Sequence, residues 1–276
     1  MVNSPATPGF DPLVELVPGS GDPLWCVHPA AGISWEYLAL GPWLPAGQRI
    51  TALQAEGLSK PDQLPGSVEE LAERFLALVR EVQPSGPYRL LGWSFGGMVA
   101  HAMGRLLREA GEVVALLALL DCYPHDAAHP EREPSDHEYL TTLLENAGCD
   151  PAGLVQPDGA PLDERRARAV LLAGGHRLAG LEDWRLEAVL RVFLHHIQLR
   201  RDHTPARFDG DVLFVRAALE RTAPFNSAAD WAPYVDGVID VHQLPTEHRL
   251  LLRKEPAERI GRLLAQRLAP RGEAGA

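Results

Sequence analysis

Ser94 stands between two glycines in "LLGWSFGGMVA", a spacing suited to a hydroxyl that must be made nucleophilic. A serine hydroxyl attacks poorly unless it is projected into a site, kept out of helix hydrogen bonding and given a base within reach. A sharp turn from strand into helix provides the projection, at a backbone cost on the order of 1–3 kcal/mol. Strand and helix then approach so closely that side chains two residues either side would collide, which Gly92 and Gly96 avoid. The same turn sets the amide of Phe95 at a helix N-terminus, where N–H groups lack intrahelical partners and stabilise a developing oxyanion. A second amide has to come from elsewhere, and Ala30, just past Pro29 in "HPAAG", is the expected source. The five letters Gly-x-Ser-x-Gly are a weak signal alone; an apolar strand before them and a helical pattern after them supply the specificity.

On such a scaffold the partners follow in the order serine, acid, histidine. After residue 206 the histidines are His242 and His248. His242 alternates within "VIDVHQL" and reads as a strand residue, whereas His248 in "LPTEHRLLL" follows the last strand, where a loop carries an imidazole over the strand ends. For the acid, Asp121 ends the run "LLALLD" and Glu220 follows "DVLFVRA". A buried carboxylate that accepts from imidazole Nδ1–H fixes the tautomer, so strand-end burial favours Asp121 over the Arg-flanked Glu220. His195 and His196 are adjacent on a helical pattern and face different directions, so they do not have the i, i+4 spacing of a zinc pair, and no metal is expected.

Those groups need a frame of strands and helices. "LWCVHPAAG" reads as a buried strand emptying into a loop, "RITALQ" as a second strand, and "YRLLGW" and "VVALLALLD" as further apolar strands. "SVEELAERFLALVREVQ" is predicted as a helix capped by Ser67 and Glu70, and "FGGMVAHAMGRLLREAG" as another, ended by Gly111. Strand and helix in alternation imply an α/β fold, a mostly parallel sheet with helices on both faces. From about 125 to 206 the pattern turns helical, near 139–147, 162–172 and 186–199, as an insertion over a site does. "DVLFVRA", "VIDVHQL" and an amphipathic helix from about Pro256 restore the alternation. Residues 1–20, rich in Pro, Gly and Ser, read as a linker or N-terminal arm, leaving one domain over 21–276.

Composition bounds the partners. The chain has 276 residues, 46% hydrophobic and 23% charged, an ordinary globular balance. A net charge of −11 argues against a nucleic-acid or anionic-membrane surface, both of which need clustered Lys and Arg. Cys26, Cys122 and Cys149 are odd in number and widely spaced, so no disulfide framework is expected and a reducing compartment is. No basic-then-apolar leader and no run of 18 apolar residues is found, which places the chain in the cytoplasm by default.

With "FDPLVELVPGSGDPLWCVHPAAG", "LQAEGL", "YRLLGWSFGGMVA", "ALLDCYP" and "EHRLLL" in this order, the chain resembles a thioesterase domain that terminates nonribosomal peptide synthetases, in the α/β-hydrolase superfamily. The resemblance runs over nearly the whole length. It implies Ser94 as acylated nucleophile, His248 as general base, Asp121 as orienter, Ala30 and Phe95 as oxyanion-hole amides, and 125–206 as a helical lid. It implies an upstream peptidyl carrier protein that delivers a peptidyl chain as a phosphopantetheine thioester, with no cofactor bound by the domain itself and a monomer as the expected state. Water would release a linear acid and an internal amine or hydroxyl a macrocycle, in antibiotic or siderophore biosynthesis. With no carrier-type serine motif in the first twenty residues, a terminal domain with a linker remnant is expected. The alternatives are a free-standing editing (type II) thioesterase that clears short acyl groups, and a catalytically silent hydrolase scaffold that binds a ligand or carrier.

Overall fold

In the computed structural model, residues 9–125, 133–150, 160–176, 178–219 and 227–268 are described. Runs such as "LWCV" and "LLALL" are apolar without interruption because the strands they form are covered on both faces. Seven strands make one sheet: β1 (Leu13–Val17), β2 (Leu24–Val27), β3 (Ile50–Leu53), β4 (Tyr88–Trp93), β5 (Val114–Leu120), β6 (Val212–Ala217) and β7 (Ile239–Leu244). Their order is β1-β3-β2-β4-β5-β6-β7. Every pairing is parallel except β1 with β3.

The antiparallel edge corrects the sequence reading. Leu13–Val17, within the stretch 1–20 whose composition reads as an arm, is a strand of the sheet, registered from Leu13 against Leu53. Pro12 and Pro18 bracket it and make the surrounding composition look like linker, yet an edge strand tolerates flanking prolines because one of its sides needs no partner. Gln54 fastens the entry to this strand, its Nε2 donating to the carbonyls of Gly9 at 2.8 Å and Asp11 at 3.1 Å.

Alternation along each strand sends side chains into two cores. Leu117 and Leu119 of β5 join α1 (Val68–Val82) and α2 (Phe95–Glu109) on one face, while Leu116, Ala118 and Leu120 join the closing helix on the other. α1 starts where expected: the Ser67 hydroxyl accepts from Glu70 N–H at 3.0 Å. The return half of the cap lands one residue early, on Gly66 N–H at 2.6 Å. The second face also holds a 3₁₀ segment, Trp35–Trp43, which the sequence pattern did not reveal because Gly41 and Pro42 interrupt any helical period.

The segment between β5 and β6 is helical as predicted, with α3 (Asp136–Ala147), α4 (Glu164–Ala173) and α5 (Asp183–Asp202), and no strand among the described residues. α5 is bolted to the loops that follow β2 and β3. His195 Nε2 meets Pro65 O at 2.6 Å, His196 Nδ1 meets Ala30 O at 2.8 Å, and Arg191 reaches Gly57 O at 3.4 Å. The Val192 methyls occupy the room left by Gly32 and Gly57; a Cβ on either glycine would lie 2.9 Å from one of them. The chain closes with α6 (Lys254–Leu268). Among the described residues no helix is long and apolar enough to cross a membrane.

Candidate active site

β4 ends at Trp93 and α2 begins at Phe95, which leaves Ser94 alone in the turn at φ 57° and ψ −131°. An L-residue pays steric strain there, and its surroundings must hold it. The Ser94 side chain caps nothing on α2, so the hydroxyl is available to the site it faces. A Cβ on Gly92 would fall on the Gly96 carbonyl, which is the strand–helix crowding expected from the sequence. Gly96 has a different neighbour from the one expected: its Cβ would strike the Val27 and His28 carbonyls at the end of β2. Gly97 also matters, because a Cβ there would lie 2.6 Å from Cys122 Cβ and push α2 off the residue after Asp121. Below the turn Tyr37 bridges the two strands that part there, donating to Val27 O at 2.7 Å and accepting from Trp93 N–H at 2.9 Å.

Asp121 follows β5, the strand beside β4, so its carboxylate starts one strand away from Ser94. It is only 4% exposed and sits at φ 45°, a left-handed conformation that Asp tolerates better than most residues. Its Oδ1 accepts from Ala217 N–H at 2.9 Å and from the Tyr123 hydroxyl at 2.7 Å; its Oδ2 lies 2.8 Å from His248 Nδ1. Burial alone would raise the carboxyl pKa. His248, Tyr123 and the Ala217 amide together outweigh it and hold the group below its ordinary value. A carboxylate so held accepts a hydrogen bond from the Nδ1–H of the imidazole and fixes that tautomer, which leaves Nε2 as the basic nitrogen.

His248 opens a 3₁₀ turn, His248–Leu250, directly after β7, and its ring is 5.4 Å from that of Trp93, the neighbour of Ser94. His242, by contrast, stays on the outer strand beside Asp240, at 3.2 Å. The competing acid Glu220 lies outside the described residues. Ser94, Asp121, His248, Ala30 and Phe95 all line one cavity of about 620 Å³, within the usual range for a small-molecule site.

The insertion supplies the far wall. Tyr139 of α3 and Arg200 of α5 line it, and both are tied to Glu133, whose oxygens lie 2.7 Å from the Tyr139 hydroxyl and 2.6 Å from Arg200 Nη1. Burial would raise the Glu133 pKa, but Arg200, Tyr139 and Arg201 outweigh it and keep the carboxylate ionised. Among the described residues no group of three His, Cys, Asp or Glu side chains would hold a metal ion.

Three contributors escaped the sequence reading. Tyr123 is two positions after Asp121 in "DCYP", a spacing that puts both on one side of an extended segment, so the signal was present. His28 opens "HPAAG", and nothing in that loop motif distinguishes its imidazole from a packed core histidine. His196 carried no signal, because nothing in a helical period says which turn meets a loop 166 residues away.

The thioesterase domain family model matches residues 22–267. In sequence the chain is 36% identical over 253 residues to a dimodular nonribosomal peptide synthase of Bacillus subtilis (strain 168), covering 90% of this chain and 10% of that one. It is 28% identical over 259 residues to enterobactin synthase component F of Escherichia coli (strain K12), covering 93% and 18%. The chain therefore spans less than a fifth of the length of either relative. In shape it is similar to the NocB thioesterase domain in covalent complex with a fluorophosphonate nocardicin G analog. The TM-score is 0.65 and the identity 25%, over 91% of this chain and 96% of that one. The mostly parallel seven-stranded sheet is that of the α/β-hydrolase fold.

Proposed function

This chain belongs to the thioesterase domain family, and from that membership we propose that it terminates peptide assembly by moving a peptidyl chain onto Ser94 and releasing it. The observation that carries this reading is the buried Asp121–His248 pair at 2.8 Å in the same cavity as a serine held in a strained strand-to-helix turn. The peptidyl chain arrives as a thioester on the phosphopantetheine arm of an upstream carrier domain, a partner suggested by relatives that are large synthetases.

The Ser94 Oγ attacks the thioester carbonyl carbon while His248 Nε2 takes its proton. The carbonyl oxygen becomes an oxyanion held by the Ala30 and Phe95 amides. The C–S bond then breaks and His248 returns the proton to the departing thiolate, leaving an ester on Ser94. In the second half, His248 deprotonates water, or an amine or hydroxyl of the peptide itself, which attacks the ester. The C–O bond breaks and the proton passes to Ser94 Oγ. Water gives a linear acid and internal attack a macrocycle.

Intact-protein mass spectrometry after mixing with peptidyl pantetheine thioesters tests this. A peptidyl adduct on Ser94 is expected, absent in Ser94→Ala, whose turnover falls on the order of 10⁶-fold. A chain that accepts only short acyl thioesters is an editing enzyme. A chain that forms no adduct is a binding scaffold, and the proposal is lost.

A further inference from the structure

Helix α5 touches the site through a residue outside the serine, acid and histidine set. His196 is fully buried, and its Nδ1 lies 2.8 Å from the carbonyl oxygen of Ala30. Its ring stacks on that of Phe95, with centroids 4.6 Å apart and planes 15° off parallel, and on that of His28 at 4.9 Å and 19°. His28 is buried too, with its Nδ1 2.8 Å from Pro29 O, an oxygen that also accepts from Gly32 N–H at 2.9 Å.

A carbonyl oxygen only accepts, so both imidazoles carry their proton on Nδ1. The opposite tautomer would set a lone pair against each carbonyl and leave a buried Nε2–H without an acceptor, since neither Nε2 has a partner among the described residues. Burial opposes protonation of both rings, holding His28 down to about 4 and His196 well below its ordinary value. The pair therefore stays neutral across ordinary assay pH, and its donor pattern does not titrate there.

The two bonds fall on consecutive peptides. A trans peptide is planar and its C=O and N–H point in opposite directions. Fixing Pro29 O therefore fixes the direction of the Ala30 N–H, and fixing Ala30 O fixes the peptide that follows. Ala30 is gripped on one side by its own loop and on the other by the insertion, while the same His196 ring bears on Phe95.

We propose that His196 is a positioning residue for acyl transfer, holding the peptide that follows Ala30 by a hydrogen bond at Ala30 O and the Phe95 residue by stacking, so that the Ala30 N–H, itself fixed through Pro29 O, and the Phe95 N–H hold their aim. The inference rests on the reading of those two amides as the oxyanion hole. It makes α5 part of the alignment of the reacting groups as well as part of the cavity wall. The adjacent His195 provides the contrast: it fastens the same helix to Pro65 O and touches neither oxyanion residue's carbonyl.

The test uses the whole chain, a fluorophosphonate probe whose phosphoryl oxygen needs the same donors, and an acyl N-acetylcysteamine thioester as a pantetheine mimic. His196→Phe keeps a stacked ring and removes the donor; His196→Asn returns an N–H near the Nδ1 position; His195→Phe loosens α5 alone. For His196→Phe the phosphonylation rate and kcat are expected to fall about 10²-fold, the cost of a small misplacement, with KM within about twofold of the parent. His196→Asn is expected to regain about tenfold of that loss, and His195→Phe to phosphonylate at the parent rate. A parental rate in His196→Phe overturns the inference, as does an equal loss in His195→Phe or no recovery in His196→Asn. If the parent chain is not phosphonylated on Ser94, the functional reading itself falls, and this inference with it.

Discussion

His248 Nδ1 lies 2.8 Å from Asp121 Oδ2, joining a residue at the end of the fifth strand to one 127 positions later. Because Asp121 Oδ1 is already occupied by the Ala217 amide and the Tyr123 hydroxyl, the orientation of the carboxyl is set independently of the imidazole. An asparagine at 121 would keep its oxygen on those two donors and turn its NH₂ toward Nδ1. The imidazole then carries its proton on Nε2 and can no longer accept from Ser94. Asp121→Asn is expected to keep the fold and lower kcat about 10⁴-fold, by analogy with the same change in a serine protease. A kinetic comparison with the parent at one pH checks it, and a loss under tenfold contradicts the assignment.

Tyr123 holds the same carboxylate from the side, at 2.7 Å. The Asp121 pKa is lower in the folded chain than its unfolded value of about 3.9. Its contribution to stability is therefore present above that value and is lost as pH falls through the folded pKa. Tyr123→Phe removes one donor, raises the folded pKa toward the unfolded one and costs about 2 kcal/mol near neutral pH. The deficit should shrink in strong acid, where the group is protonated in both states, and the acid-unfolding midpoint should move to higher pH. Circular dichroism across an acid titration reads both.

Much of this arrangement was legible in the sequence because it is local. The strained turn, its flanking glycines and the strand-end aspartate are each written within a few residues, and the parallel strands announce themselves as apolar runs. The β1 strand was not legible: five residues between two prolines form a strand only because β3 offers them a ladder. The same holds for His196, whose role is decided by which loop α5 meets, a tertiary fact. Gly96 shows the intermediate case, a residue whose type was readable while the backbone it avoids belongs to β2.

Two glycines separate steric crowding from backbone conformation. At Gly96 an added Cβ would meet the Val27 and His28 carbonyls, which are sheet backbone and cannot swing aside. At Gly111 nothing lies within 4 Å, and only the positive φ of 79° opposes a side chain. Gly111→Ala should cost about 1–2 kcal/mol and leave activity intact. Gly96→Ala should cost about 3 kcal/mol or more and abolish fluorophosphonate labelling of Ser94, because the elbow must shift to admit the methyl. Urea melts and probe labelling on the two variants decide whether close approach, beyond glycine's conformational range, is what position 96 requires.

Glu133 organises the cavity wall that faces the substrate. One carboxylate receives Arg200 at 2.6 Å, Arg201 at 3.2 Å and the Tyr139 hydroxyl at 2.7 Å, and its side chain is 14% exposed. Glu133→Gln keeps the shape and removes the charge, which leaves Arg200 buried without its counter-ion. A loss of about 2 kcal/mol is expected, below the cost of breaking a fully buried pair because the Arg200 and Glu133 side chains keep 18% and 14% of their exposure. Arg200 and Tyr139 line the cavity from the insertion and are not among the serine, the base and the oxyanion donors, so their displacement is expected to change how the acyl chain is held more than how the serine is activated. KM for a peptidyl thioester should therefore rise severalfold while the fluorophosphonate labelling rate, which needs only the serine, the base and the oxyanion donors, stays near that of the parent. A fall in labelling equal to the change in KM would mean that the Glu133 cluster supports the catalytic groups themselves, and that the cavity wall and the nucleophile are one mechanical unit.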